Sequence, residues 1–169
     1  MSSPDVLAAI VGHTRTGPDR PAVKDLDRDL TYGALFDEVT RVAAGLRSRG
    51  VREGDRVALL LPNSVDFVVV ALACLTLGAI FVPLAVSDPP SRLGLIIGNC
   101  APTVVVTSSD GDGDVAQPAL TTSSERSLGV TISELSREVV SLPESGPPGT
   151  AGAYIIYTSG TTGTPNGVL

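Results

Sequence analysis

The chain has 169 residues, of which 43% are hydrophobic and 18% are charged, a balance that supplies a core for one domain and excludes a wholly disordered protein. The net charge of −6, with no basic stripe, argues against nucleic-acid binding, although backbone N–H groups can still bind a small anion. Cys74 and Cys100 form no CxxC pair or Cys/His cluster, which argues against a metal site, so we expect buried, reduced thiols in a cytoplasmic protein.

The N-terminal part of the chain predicts a short helix, a small hairpin and a long amphipathic helix. Residues 5–14 have helical spacing, and segments 22–24 and 29–31 flank a turn-like Asp-Leu-Asp-Arg. Thr31 is a good N-cap for a helix that runs to about Ser48. This helix carries one apolar stripe for burial, formed by Leu35, Val39, Val42, Ala43 and Leu46.

An alternation of strands and helices follows the long helix. The predicted elements are strands at 56–61, 80–84 and 103–107, and helices at 65–77 and from 91 to about 98. The strands are continuous apolar runs, which is typical of a parallel sheet with helices on both faces. Pro83 indicates that its strand lies near an edge or ends there. The predicted fold class is therefore α/β over residues 1–107.

One apolar segment, from Phe67 to Val86, is about long enough to span a membrane. A glycine and a proline interrupt it, Asp66 and Asp88 bound it, and no lysine or arginine flanks it closely. We therefore predict a buried helix followed by a buried strand, and no membrane association.

Residues 108–150 form a loop-rich excursion, with many serines, threonines, glycines and prolines. Aspartates at alternate positions from Asp110 resemble a calcium loop, but the twelfth position is Thr121 rather than glutamate. We predict a solvated loop for this stretch. Apolar spacing at 130–140 leaves a strand or a short helix open.

The final segment, 151–169, carries the chemistry. An apolar run at 153–157 leads into Thr-Ser-Gly-Thr-Thr-Gly-Thr-Pro-Asn-Gly at 158–167. Gly160 and Gly163 permit a turn with positive φ, in which successive N–H groups bind an anion and neighbouring hydroxyls add donors. The glycine spacing fits neither a Walker A loop nor GxGxxG. From spacing alone, a phosphate-binding loop and a flexible polar loop both remain open.

The segment from Tyr157 to Val168 also resembles the phosphate-loop signature of the adenylate-forming enzymes. That family includes nonribosomal-peptide adenylation domains, acyl- and aryl-CoA synthetases and luciferases. Two weaker matches stand in the right order, because Leu30-Thr-Tyr-Gly-Ala-Leu35 and Leu75-Thr-Leu-Gly-Ala-Ile-Phe-Val-Pro-Leu84 resemble the first and second core motifs of adenylation domains. The resemblance spans about residues 20–169.

The resemblance implies a two-step reaction. A carboxylate attacks the α-phosphorus of ATP to give an acyl-adenylate and pyrophosphate, and a phosphopantetheine or coenzyme A thiol then takes the acyl group. The loop's role in the family is to bind the β- and γ-phosphates, while Mg²⁺ shares their charge. Carried over by position, the predicted ATP-binding residues are Thr158, Ser159, Gly160, Thr161, Thr162, Gly163, Thr164, Asn166 and Gly167; no catalytic residue is assigned.

Two departures from the family pattern matter. The family usually has lysine where this chain has Asn166, and the loss of a positive charge predicts weaker phosphate binding. Family enzymes also continue for several hundred residues after the loop. The resemblance therefore implies an incomplete domain, the N-terminal portion of the large subdomain.

We expect the chain to be inactive alone, as part of an amino-acid-activating ligase that a complementary protein chain completes, with a carrier protein as a further candidate partner. Three alternatives stay open at this point. The chain is a piece of a longer gene product, or a non-catalytic module that binds another protein, or a small nucleotide-binding α/β domain complete in itself.

Overall fold

The structure, a computed structural model, describes residues 6–108, 128–137, 153–158 and 166–168. The helices are α1 (Val6–Thr16), α2 (Tyr32–Ser48), α3 (Val65–Leu77), α4 (Pro90–Cys100) and α5 (Ile132–Leu135). The strands are β1 (Pro21–Lys24), β2 (Asp29–Thr31), β3 (Arg56–Leu60), β4 (Ile80–Leu84), β5 (Val104–Thr107), β6 (Leu128–Thr131), β7 (Ile156–Thr158) and β8 (Asn166–Val168).

The antiparallel β1–β2 hairpin leads into α2, as predicted. The Thr31 hydroxyl accepts a hydrogen bond from the Ala34 N–H and caps the helix, and the predicted apolar stripe is buried. At the hairpin turn, the Asp25 carboxylate accepts the Val65 N–H at 2.7 Å. This bond, together with those from the Arg28 and Asp27 N–H groups, holds the pKa of Asp25 below its usual value. Asp25 thereby ties the hairpin to the first turn of α3.

The central sheet is parallel, with the strand order β4-β3-β5-β6. Alternate residues of β3 face opposite layers because side chains alternate along a strand. Val57 and Leu59 belong to the core cluster that contains α2 and α3, and Ala58 and Leu60 belong to the cluster that contains α4. This confirms the predicted α/β fold with helices on both faces.

The apolar segment that is long enough for a membrane span divides into α3 and β4, as predicted. The Ser64 hydroxyl accepts the Phe67 N–H and begins the helix. Gly78 ends it in the left-handed conformation, at φ 66°. Across the described ranges, no helix combines the length and the hydropathy that crossing a bilayer requires.

Two elements lie inside the stretch predicted as an excursion. β6 adds to the sheet beside β5, and α5 follows it directly. A capping box joins Thr131 and Glu134 at the start of α5, where the Thr131 N–H donates to the Glu134 carboxylate at 2.7 Å. Both a strand and a short helix therefore form where the sequence left the choice open. The alternate aspartates from Asp110 lie outside the described residues, and the predicted boundaries at 107 and 150 stay predictions.

Gly45 on α2 is expected to be intolerant of a side chain. A Cβ at this position would lie 2.8 Å from the Leu135 Cα and 3.0 Å from its carbonyl carbon. Because backbone atoms of α5 cannot turn aside, Gly45→Ala should lower the free energy of unfolding by about 1–3 kcal/mol, as overpacking does. Urea denaturation of the full chain measures the change.

Gly12→Ala is the matched control, since Gly12 also lies within a helix but a Cβ there meets nothing within 4 Å. This substitution should stabilise the chain by up to about 1 kcal/mol through helix propensity. Equal effects of the two substitutions would contradict the close approach of α2 and α5.

Candidate functional site

A two-stranded ribbon is formed by the residues on either side of the polar segment that carries the predicted chemistry. β7 and β8 pair antiparallel, with Ile156 opposite Val168, Tyr157 opposite Gly167 and Thr158 opposite Asn166. The pairing brings the two ends of the intervening stretch, 159–165, to adjacent positions. Of the nine predicted ATP-binding residues, Thr158, Asn166 and Gly167 are therefore placed on neighbouring strands. The others, Ser159, Gly160, Thr161, Thr162, Gly163 and Thr164, lie outside the described residues, and their assignment stays a prediction.

The segment that leads into β7 starts along the outer edge of β4. The Phe81 N–H donates to the Ala153 carbonyl at 3.2 Å, and the Ile155 N–H donates to the Phe81 carbonyl at 3.1 Å. Two residues further along β4, Pro83 would present its nitrogen to the same edge, but proline has no N–H to donate. Pro83 therefore cannot donate the next backbone hydrogen bond at this edge. Because β4 is an edge strand of the four-stranded sheet, the prediction that Pro83 lies near an edge is confirmed.

The inner face of the ribbon packs against the core beneath α4. Ile155 and Tyr157 contact the core cluster formed by Ala58, Leu60, Val82, Leu84, Leu93, Ile96, Ile97, Cys100 and Val105. The Tyr157 hydroxyl donates to the Asn99 Oδ1 at 2.6 Å, at the C-terminal end of α4. Burial raises the pKa of Tyr157, and the neighbouring Cys100 adds to the increase while Arg56 opposes it. The tyrosine hydroxyl therefore stays protonated, and a donor, throughout the neutral range.

The outer face of the ribbon is apolar and open to solvent. Tyr154, Ile156 and Val168 are 46%, 47% and 58% exposed, and Ile156 lies directly opposite Val168 in the strand register. The Tyr154 ring lies over the Phe81 ring, with centroids 5.6 Å apart. The ribbon thus packs one apolar face against the core, where Ile155 and Tyr157 are half-buried, and leaves a second face uncovered by the described residues.

A cavity of about 320 Å³ lies between the ribbon and α4, lined by Arg56, Asn99, Cys100, Ile155, Tyr157 and Gly167. The Arg56 guanidinium donates to the carbonyls of Cys100 and Ala101 at the end of the helix. Burial raises the pKa of the Cys100 thiol to about 11, so this sulfur is protonated at neutral pH and is not an activated nucleophile. The lining thus combines residues of the ribbon segment with residues at the C-terminal end of α4 and the start of β3.

Gly167 has a packing role that resemblance alone did not indicate. A Cβ on this residue would lie 2.9 Å from the Ile155 Cγ2, 3.1 Å from the Tyr157 Cζ and 3.3 Å from the Tyr157 hydroxyl oxygen. The tyrosine ring therefore occupies the space that a side chain on Gly167 would fill. A side chain at position 167 would therefore have to displace the Tyr157 ring and the Ile155 side chain.

Comparison with known proteins identifies the family. A model of the AMP-binding enzyme family matches residues 12–169 of the chain. The chain belongs to the AMP-binding enzyme family. The resemblance to adenylate-forming enzymes is thereby confirmed.

Two relatives and one solved structure illustrate the match. Fumosorinone synthetase from Cordyceps fumosorosea is 36% identical over 156 residues, which are 89% of this chain and 4% of that protein. Delta-poly-L-ornithine synthetase from Acinetobacter baumannii is 32% identical over 166 residues, 98% of this chain and 12% of that protein. O-succinylbenzoate coenzyme A synthetase (MenE) from Bacillus subtilis, solved with AMP, has a TM-score of 0.78 and 27% identity, covering 94% of this chain and 40% of that one.

The structural match shows which part of an AMP-binding enzyme the described residues correspond to. Its fold is that of the N-terminal part of adenylate-forming enzymes, and it spans 40% of the MenE chain. MenE has also been solved with ATP and a magnesium ion, at a TM-score of 0.77 to this chain. Among the described residues, no three His, Cys, Asp or Glu side chains lie close enough together to hold a metal ion.

Asn99 is the site residue that sequence reasoning missed. It contacts Tyr157 across 58 positions of sequence, and it belongs to none of the motifs that carry the family resemblance. No local signal marks it, because its importance depends on where the C-terminal end of α4 meets the ribbon. In the sequence, Tyr157 is marked only as the first residue of the loop signature.

Proposed function

We propose that this chain is the phosphate-loop part of an ATP-dependent ligase that activates a carboxylate by adenylation. A carboxylate oxygen bonds to the α-phosphorus of ATP, the bond from that phosphorus to the β-bridging oxygen breaks, and pyrophosphate leaves. The residues from Thr158 to Gly167 bind the β- and γ-phosphates in this step, through backbone N–H groups and hydroxyls. The observation that carries the proposal is the family match over 12–169, which ends on the strand pair that holds this signature.

An amino acid is the proposed carboxylate substrate, in nonribosomal peptide synthesis. The similarity to delta-poly-L-ornithine synthetase supports this choice, because ornithine is an amino acid. The thiol that accepts the acyl group is then carried by phosphopantetheine on a carrier protein. The two free, buried cysteines support a reducing compartment, and we place the reaction in the cytoplasm.

A complementary protein chain is proposed to complete the enzyme. The chain spans 40% of the MenE structure, and the outer face of the ribbon is apolar and exposed at Tyr154, Ile156 and Val168. A two-stranded ribbon is marginally stable unless its faces are packed. The complementary chain would cover this face and, together with the phosphates of ATP, supply the oxygen ligands of Mg²⁺.

ATP–pyrophosphate exchange tests the proposal. The full chain is assayed alone, and then mixed with the protein encoded by the adjacent reading frame, across a panel of amino acids. We expect no exchange from the chain alone and amino-acid-dependent exchange from the mixture. Exchange by the chain alone would contradict the need for a second chain. A tight complex without exchange would instead favour a non-catalytic interaction module.

Ile156→Asp is the interface variant for the same assay. An unpaired carboxylate on the outer face of the ribbon would be costly to bury in an apolar interface. Both complex formation and ATP–pyrophosphate exchange should therefore be lost. Leu26→Asp is the matched control, because Leu26 is fully exposed at the turn of the β1–β2 hairpin. Equal losses from both variants would contradict an interface on the ribbon.

Asn166→Lys should strengthen nucleotide binding by the assembly that supports exchange. The substitution restores the charge that the family usually carries at this position. A charge-assisted hydrogen bond to a phosphate should raise the affinity for ATP about ten-fold, equivalent to about 1.4 kcal/mol. Calorimetric titration with Mg·ATP measures the change, and its salt dependence should increase as well. An unchanged or weaker affinity would contradict the assigned role of this position.

A further inference from the structure

The ends of the phosphate-loop segment are fixed by one side chain that does not itself belong to the predicted ATP-binding set. Tyr157 lies one residue before Thr158 and directly opposite Gly167, which is the residue after Asn166. Its ring occupies the space above the Gly167 backbone, and its hydroxyl reaches Asn99 on α4 at 2.6 Å. The Tyr157 side chain, which projects from β7, therefore contacts both β8 and α4.

The contact between Tyr157 and Gly167 sets how closely the strands can pair around the loop. A glycine in a strand weakens the pairing, and an aromatic ring placed over it compensates by covering the exposed backbone. Ile155 lies on the same inner face and also approaches the Cβ position of Gly167, at 2.9 Å. The Ile155 and Tyr157 side chains thus occupy the space beside the Gly167 backbone on the inner face of the ribbon.

The contact between Tyr157 and Asn99 sets how the ribbon is oriented on the sheet. Among the described residues, the segment before β7 pairs with β4 at the bridge of Phe81 and Tyr154. Side-chain contacts of Ile155 and Tyr157 add to this pairing in orienting the ribbon. Ile155 contributes non-directional packing, whereas the tyrosine hydroxyl contributes a short, directional bond to a helix end. The same helix end is held to the start of β3 by Arg56.

We propose that Tyr157 is a positioning residue for the phosphate loop. Seated over Gly167 and bonded to Asn99, it holds β7 and β8 in the pairing and orientation from which the loop binds the β- and γ-phosphates of ATP. This inference rests on the proposed function of the loop. Tyr157 and Asn99 act without touching phosphate.

Tyr157→Phe is the central test, because it keeps the ring over Gly167 and removes only the bond to Asn99. Two properties are measured: hydrogen–deuterium exchange of the amides at 159–168 in the full chain, and Mg·ATP affinity of the mixture that supports ATP–pyrophosphate exchange. We expect about five-fold faster amide exchange and about five-fold weaker affinity, as for the loss of one hydrogen bond. Amide exchange in α2 and β3 should not change.

Three further variants separate positioning from general stability. Asn99→Asp keeps an acceptor oxygen and should behave like the wild type, whereas Asn99→Leu should match Tyr157→Phe. The double variant Tyr157→Phe/Asn99→Leu should be no worse than either single variant, since both remove the same bond. Tyr32→Phe is the matched control, because Tyr32 lies at the start of α2 with its ring beside that of His13. It belongs neither to the ribbon nor to the proposed interface, and this variant should leave both measurements unchanged.

The outcomes distinguish this inference from the proposed function. Unchanged amide exchange at 159–168 in Tyr157→Phe overturns the positioning role, whatever the enzyme does. Faster amide exchange with unchanged Mg·ATP affinity also overturns it, and leaves the proposed function standing. If the wild-type chain supports no ATP–pyrophosphate exchange in any mixture, the proposed function fails and this inference fails with it.

Discussion

The structure depends on the burial of both faces of one short parallel sheet. Every described residue of β5 is buried, and β3 places alternate side chains in two separate cores. Such strands cannot lie at a solvent-exposed face, so helices must cover both sides. The layer containing α4 then positions Thr158 and Asn166, which flank the polar segment, because the inner face of the β7–β8 ribbon packs against that same core. Apolar packing thus positions the residues on either side of the segment for which we propose phosphate binding.

The chemistry proposed for that loop suits an acidic chain. A net charge of −6 cannot attract a triphosphate through bulk charge, whereas oriented N–H groups bind phosphate locally. Local binding of this kind is sensitive to backbone position, and no lysine at 166 supplements it. The ribbon therefore has to be held firmly, which gives the contacts among Tyr157, Gly167 and Asn99 their significance.

Much of the fold could be predicted from the sequence because its signals are local. Helical spacing and the Thr31 cap predict α2, and continuous apolar runs predict the parallel strands. Ser64 and Gly78, at the two ends of α3, are local signals of the same kind. The α5 capping box is also a local signal. It lies within 108–150, however, where the polar composition predicts a loop. The phosphate-binding role of the loop is predicted from its motif alone. The contact of the ribbon with α4 has no such signal, because Asn99 and Tyr157 are residues that only the folded chain brings together.

Photolabelling with an ATP analogue that carries its reactive group on the γ-phosphate tests the central claim most directly. The label is applied to the mixture of this chain and its complementary chain, with unmodified ATP as competitor, and mapped by mass spectrometry. The account predicts ATP-competitable labelling within residues 158–167 of this chain. Competitable labelling confined to other segments, with none in 158–167, would contradict it.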